Sequence, residues 1–251
     1  MLTFISCAKT MKAVAGKDFP DATAPQFEAE ARENALELMR YSPEELAKLL
    51  HINPKLAAEN YVRYREFHNG DTPSTPALCA YTGAVFKRIA PGDFTADDFH
   101  YAQHHLLITS FLYGLLRPLD GIRPYRLEGN VRLHEGKTMF EYWRPLLTDR
   151  FIESVKRQGG ILVNLASAEM KDLFDWKKVE KEVRVVTPDF QVWKGGVLKT
   201  VVMYAKMCRG EMTRFILKNR IENPDDLRAF TWEGFTFDES RSSSGHLLFT
   251  L

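Results

Sequence analysis

Compact apolar runs alternate along the chain with longer stretches whose apolar residues fall at helical spacing. Residues 2–8 (LTFISCA) and 161–167 (ILVNLAS, preceded by Gly159-Gly160) belong to the first kind and predict buried strands. Between 25 and 39 the apolar positions Phe27, Ala31, Leu36 and Leu38 sit among acidic residues, as on a solvated helix. Ser42-Pro43-Glu44-Glu45 carries the start signals of a second helix. Its serine can cap, its proline suits the first turn and Glu45 stands at the capping-box position, while Leu46, Leu49 and Leu50 supply an apolar stripe. Asn53 caps a third helix over 54–67. Thr95-Ala96-Asp97-Asp98 opens another, and the apolar run behind it continues to Leu116 before Arg117-Pro118. Residues 138–155 predict one more helix.

The rest is punctuated by turn residues. Residues 10–24, with Gly16 and Pro20, predict an exposed loop, and 68–76 (HNGDTPSTP) a turn-rich connector. Five prolines and glycines make 117–136 largely irregular. VRVVTPDFQVW and VLKTVVMYA, split by Lys194-Gly195-Gly196, predict a hairpin. Residues 205–220 predict a helix, and 235–251 two strands joined through 240–245. With no repeat and no linker, the pattern describes one compact α/β domain over 1–251, a mixed sheet surrounded by helices, with a helical hairpin at 43–67 inside it.

Composition narrows the functional classes. The 251 residues are 45% hydrophobic and 12% aromatic, ample for a core, and 34 basic against 33 acidic residues leave a net charge of +1. A polyanion site therefore requires segregated charge. Cys7, Cys79 and Cys208 form no CxxC pair and no disulfide framework, which fits a reducing compartment. The apolar start is interrupted by Lys9 and Lys12, far short of the roughly 20 apolar residues of a membrane span. The expected location is the cytoplasm. No motif asks for a cofactor, a membrane or an obligate protein partner.

Five constellations could carry chemistry. The helical hairpin, with Ile52, Asn53 and Lys55 at its connector and Arg63 behind, has the layout that grips a DNA phosphate through backbone N–H groups and a helix N-terminus; the other reading is an ordinary helical pair packed on the core. Residues 194–220 hold seven cations (among them Lys206, Arg209, Arg214, Lys218 and Arg220) against Glu211 alone. They form either a phosphate-tracking stripe or a solvated face neutralised by acidic neighbours. In the loop after Leu116, Arg117, Asp120, Tyr125, Arg126 and Glu128 form either a rigid polar pocket or an internal network of ion pairs. His100 and His104 are spaced to share a metal but lack a visible third ligand, so no metal site is assigned. Ser6, Cys7 and Lys9 follow one buried strand; Asn164, Ser167 and Glu169 follow another. Ligands collect where such strands end, so both sets could line one pocket, in which Ser6, Lys9, Glu128, Ser167 and Glu169 are the candidates for catalysis. No established catalytic signature is present.

Taken together these segments resemble the YaaA family. The shared motifs run from Ser6-Cys7-Ala8-Lys9 through Tyr81-Thr82-Gly83, Leu116-Arg117-Pro118-Leu119-Asp120 and Pro124-Tyr125-Arg126-Leu127-Glu128. They continue with Asn164-Leu165-Ala166-Ser167, Tyr204-Ala205-Lys206 and Arg209-Gly210. The resemblance implies a peroxide-stress protein that helps keep free intracellular iron low. It also implies an α/β fold with a helix-hairpin-helix element and a positively charged cleft, and DNA binding. Cys7 stands where that family usually has proline, and Met170 where it usually has tyrosine. On this resemblance the expected partner is double-stranded or structured DNA, bound without base readout. The rival expectation is an enzyme acting on a nucleotide or nucleobase-like molecule.

Overall fold

The computed structural model describes residues 1–13, 19–70 and 73–251; Gly16 of the predicted loop and positions 71–72 of the predicted connector lie outside these. The chain opens with β1 (Leu2–Ile5), buried throughout. Ser6 and the residues after it leave the sheet three positions earlier than the apolar run suggests. The helices α1 (Glu28–Leu38), α2 (Pro43–Leu49) and α3 (Pro54–Glu66) follow. Their caps form as the sequence predicts. Ser42 Oγ accepts the Glu45 N–H while Glu45 accepts the Ser42 N–H at 2.8 Å, and Asn53 Oδ1 accepts the Leu56 N–H at 2.9 Å.

A short strand β2 (Thr75–Pro76) and the small helices α4 (Ala77–Ala80) and α5 (Ala84–Ile89) lead to α6 (Ala96–His105), which a Thr95–Asp98 capping box starts. The apolar run behind α6 does not stay helical. It becomes β3 (Leu106–Ser110) and β4 (Gly114–Leu116), because pairing with β1 buries Leu106, Leu107 and Ile108 in one parallel register. Gly114, at φ +73° with Trp143 packed against it, makes the reversal between the two strands that a side chain would obstruct. The irregular stretch contributes the two-residue strands β5 (Gly121–Ile122) and β6 (Arg132–Leu133), and β7 (Lys137–Thr138) precedes α7 (Met139–Arg157).

The second half holds β8 (Ile161–Asn164), α8 (Trp176–Glu182), β9 (Arg184–Lys194), β10 (Val197–Lys199), α9 (Val202–Lys218), β11 (Thr236–Phe237) and β12 (His246–Thr250). The predicted hairpin forms between β9 and β10, but its second arm stops at Lys199. Residues from Val202 onward belong to α9 instead.

These strands form one mixed sheet in the order β11-β12-β9-β8-β1-β3-β4, with β10 paired to β9. The five central strands run parallel and the edges are antiparallel. The parallel strands β1, β3 and β8 are buried on both faces, which explains why they read as continuous apolar runs, whereas β9 alternates buried and half-buried positions. From β1 the chain crosses to β3 on one side and later returns to place β8 on the other. The connections therefore leave β1 and β8 in opposite directions and open a crevice at their carboxyl ends, where open α/β sheets bind ligands. One continuous hydrophobic cluster runs through the whole domain. Within it, Phe4 packs against the stacked rings of Phe151 and Phe174 at ring separations of 5.0 and 5.6 Å.

Helix α9 is seated by two contacts that also set the site. At Gly210 it crosses α5 so closely that a Cβ would lie 2.3 Å from the Val85 carbonyl oxygen. Farther along, Lys218 and Arg220 reach Asp98 at 2.7 and 2.8 Å, and Arg214 holds Asp93. Asp98, with a side chain only 8% exposed, also accepts the Thr95 N–H. Burial alone would raise its pKa, but the bonds from Lys218, Thr95 and Arg220 outweigh it and hold the carboxyl well below the ordinary range.

Two outcomes follow for stability. Gly210→Ala should lower it by about 1–3 kcal/mol in urea unfolding, despite alanine's better helix propensity, because the helices must separate. Asp98→Asn should cost about 2–4 kcal/mol at pH 7, by leaving two cations without their carboxylate. A depressed native pKa stabilises above the unfolded value near 4 and loses that contribution as pH falls through the native one. The gap between wild type and Asp98→Asn should therefore narrow below about pH 4; a constant gap would contradict this assignment.

Candidate functional site

The crevice beyond β1, β3 and β8 opens into a cavity of about 500 Å³. The residues just past the three strand ends, Ser6 and Cys7, Phe111, and Leu165 with Ser167, line it. The two serines lock the strand ends together: the Ser167 N–H donates to Ser6 Oγ at 2.8 Å and the hydroxyl oxygens lie 3.1 Å apart. Since Ser167 Oγ donates to Glu169 Oε1 at 3.3 Å, the Ser6 hydroxyl must donate to Ser167. The protons thus run one way, Ser6 to Ser167 to Glu169. On the neighbouring strand Thr109 Oγ1 accepts the Cys7 N–H at 3.0 Å, so the loop after β1 is fixed from both sides.

The 125–130 segment supplies a second wall. Tyr125 is held by buried hydroxyl bonds to Ser110 (2.7 Å) and Tyr81 (2.8 Å), and Tyr64 of α3 donates to the Arg126 carbonyl. Burial keeps the Tyr81 and Tyr125 phenols protonated, raising both far above the ordinary value. Glu128 is saturated, with Lys9 on one oxygen at 2.8 Å and Arg126 on the other at 2.6 Å. Burial acts to raise its pKa, but the two cations outweigh that and leave it below the usual carboxylate range. Arg126 Nε is buried without a hydrogen-bond partner.

The third wall is α5 with α9. A Cβ at Gly83 would lie 2.7 Å from that of Ala8, so α5 starts directly against the loop after β1. The close crossing at Gly210 then turns Lys206 and Arg209 into the cavity. Arg209 is half-buried, yet its guanidinium has no hydrogen bond and no carboxylate within 4 Å among the described residues. Burial lowers its pKa, and Asp189 acts in the opposite sense only through space. An uncompensated buried charge is costly to leave without a partner.

The sequence-predicted residues divide into five groups. Ser6, Lys9, Tyr125, Arg126, Glu128, Ser167, Glu169, Lys206 and Arg209 converge on the cavity. Arg117 and Asp120 face each other instead, at 2.8 Å, with Asp120 fully buried and also bonded by Thr23; they tie the irregular segment to residues 23–24. Arg214, Lys218 and Arg220 are taken by Asp93 and Asp98, so the basic stripe is neutralised over its second half. The hairpin residues Ile52, Asn53, Lys55 and Arg63 lie apart from the cavity, and Arg63 pairs with Glu59. At the connector, where His51 has φ +50°, the N–H groups of His51, Ile52 and Leu56 are all bonded within the protein. His100 and His104 are exposed and belong to no group of three potential metal ligands among the described residues. Sequence reasoning assigned no part to the aromatic and small residues of the walls (Phe86, Phe111, Phe140); the one signal pointing at α5 was the Tyr81-Thr82-Gly83 motif.

Comparison with known proteins places these features in context. The family described as "Peroxide stress protein YaaA" matches residues 1–241. A UPF0246 protein of Phocaeicola vulgatus is 61% identical over 253 residues, covering all of this chain and 99% of its own. One from Porphyromonas gingivalis is 48% identical with complete coverage of both chains. Another from Clostridium beijerinckii is 38% identical over 253 residues, covering all of this chain and 97% of its own. Among the described residues no helix is long and apolar enough to cross a membrane.

Cys7 lines the cavity but is poorly suited to react. Burial pushes its thiol up to about 11; Thr109 acts the other way, while Glu169 and Glu128 add to the rise. Its thiolate at neutral pH is then scarcer than that of an ordinary cysteine by about two orders of magnitude. In the native protein iodoacetamide should label Cys7 at least ~100-fold more slowly than a free cysteine at pH 7. The rate should still be rising above pH 9, as followed by peptide mass spectrometry. Fast labelling at pH 7 would contradict this environment.

Proposed function

The chain belongs to the peroxide stress protein YaaA family, and on that premise we propose that it serves the peroxide response by binding a phosphate-bearing, nucleotide-like ligand in the cavity beyond β1, β3 and β8. One observation carries this reading: Arg209, half-buried beside the exposed Lys206, faces a cavity of about 500 Å³ and has no carboxylate within ion-pair distance among the described residues. Guanidinium forks suit phosphate oxygens, and a charge-assisted pair in a cleft recovers the cost of burying the cation. The apolar walls and the few converging polar groups are those of a small-molecule site rather than of a flat polyanion surface. The proposed setting is the cytoplasm, and the restraint of free iron and oxidative damage implied for the family is carried over as the cellular consequence.

A second reading, non-specific binding of double-stranded or structured DNA through the hairpin, has its own support. Lys48 and Lys55 stand exposed on either side of the connector with no ion pair among the described residues, and Lys194 and Lys199 are similarly free. Counted against it are the three connector N–H groups already used internally and the three cations at and just beyond the end of α9 already held by Asp93 and Asp98.

Isothermal titration separates the two. Pyrophosphate should bind the wild type, and Arg209→Gln should weaken it by about 10- to 100-fold, the loss of a charge-assisted pair. Lys48→Ala and Lys55→Ala should leave it unchanged. With a 20-base-pair duplex, each cation that meets a phosphate should lower the salt slope by about one unit when replaced by alanine. Duplex binding that responds to Lys48 and Lys55 but not to Lys206 and Arg209, together with no pyrophosphate binding, would move the function to the hairpin.

A further inference from the structure

Opposite charges face the cavity without meeting. Arg209 and Lys206 have no carboxylate within ion-pair distance, and Glu169, lining the same space, has no cation within that distance among the described residues. Among the described residues Glu169 receives a single hydrogen bond, from Ser167 Oγ on Oε1, and Oε2 receives none. Its neighbour Glu128 is the contrast, both oxygens being held by cations. A free carboxylate and a free guanidinium in contact with each other would pair. Here the fold keeps them apart and leaves a cavity between them.

On the phosphate-binding reading above, we propose that Glu169 is the second anchor of the same ligand and that the ligand is a guanine nucleotide. A carboxylate offers two acceptors in one plane, and it pairs best with two parallel N–H donors. Guanine presents such a pair, N1–H beside its 2-amino group. Adenine and cytosine each present one amino donor next to a ring acceptor, and the single N–H of uracil lies between two carbonyl oxygens that repel a carboxylate. The Ser6–Ser167 chain is directed so that its last proton falls on Glu169 Oε1, which fixes the carboxylate as an acceptor and leaves Oε2 to the ligand. The same cavity is lined by aromatic side chains, Phe111 and Phe140 meeting edge to face at 5.3 Å. A volume of about 500 Å³ lies in the range that holds ligands of this size. A free amino acid would satisfy both charges but leave those aromatic walls uncovered.

The test is a titration of the full chain with GMP, IMP, AMP and UMP at one salt concentration. GMP should bind at least ~10-fold more tightly than AMP or UMP, with IMP, which keeps N1–H but lacks the 2-amino group, in between. Glu169→Gln, at an exposed position that leaves the core untouched, should bring GMP down to the level of AMP without weakening AMP. Arg209→Gln should weaken all four together. Equal affinities for the four nucleotides, indifferent to Glu169→Gln but lost with Arg209→Gln, would overturn the guanine assignment and leave the phosphate site standing. Failure of the wild type to bind any of them would overturn both.

Discussion

A half-buried guanidinium, with no carboxylate against it among the described residues, is the constraint around which this site is arranged. Arg209 can occupy that position because Gly210, the next residue, lets α9 cross α5 almost backbone to backbone. Gly83 brings the start of α5 equally close to the loop after β1. The cost of the unpaired charge is offset within the fold by the opposite end of α9, where Asp98 gathers Lys218 and Arg220 and Asp93 takes Arg214. The helix and the turn after it thus carry two kinds of cation: three spent on holding α9 in place and two left facing a cavity.

The same division explains what could be read from the sequence. Local rules sufficed for the caps at Ser42, Asn53 and Thr95, since each depends on residues no more than three positions away. The meeting of Ser6 with Ser167 was also legible, because both follow buried parallel strands and strand ends converge. Two kinds of information were not local. Residues 106–116 are apolar enough for helix or strand, and only the register with β1 decides between them. The neutralisation of Arg214, Lys218 and Arg220 rests on acids about 120 residues earlier in the chain. A count of charges along 194–220 therefore showed a stripe where the fold leaves two free cations at a pocket.

The hairpin and the cavity are physically joined although they lie apart. Tyr64 of α3 is buried and its hydroxyl holds the carbonyl of Arg126, whose side chain in turn steadies Glu128 and the loop of Lys9. Whatever occupies the cavity rests on a wall that α3 supports, and whatever touches the hairpin presses on that wall. The irregular 117–126 segment is also fixed by Arg123, which bonds the Phe67 carbonyl at the end of α3, and by Arg117, which pairs with the buried Asp120. An irregular chain with so many of its polar groups satisfied is a scaffold rather than a loose loop.

A crystal structure of the chain grown with a nucleoside monophosphate would test the central claim most directly. The account requires phosphate oxygens at hydrogen-bonding distance from the Arg209 guanidinium, inside the cavity and beside Lys206. A phosphate bound at the hairpin with the cavity left to water, or Arg209 swung over to close a pair with Asp189, would contradict it.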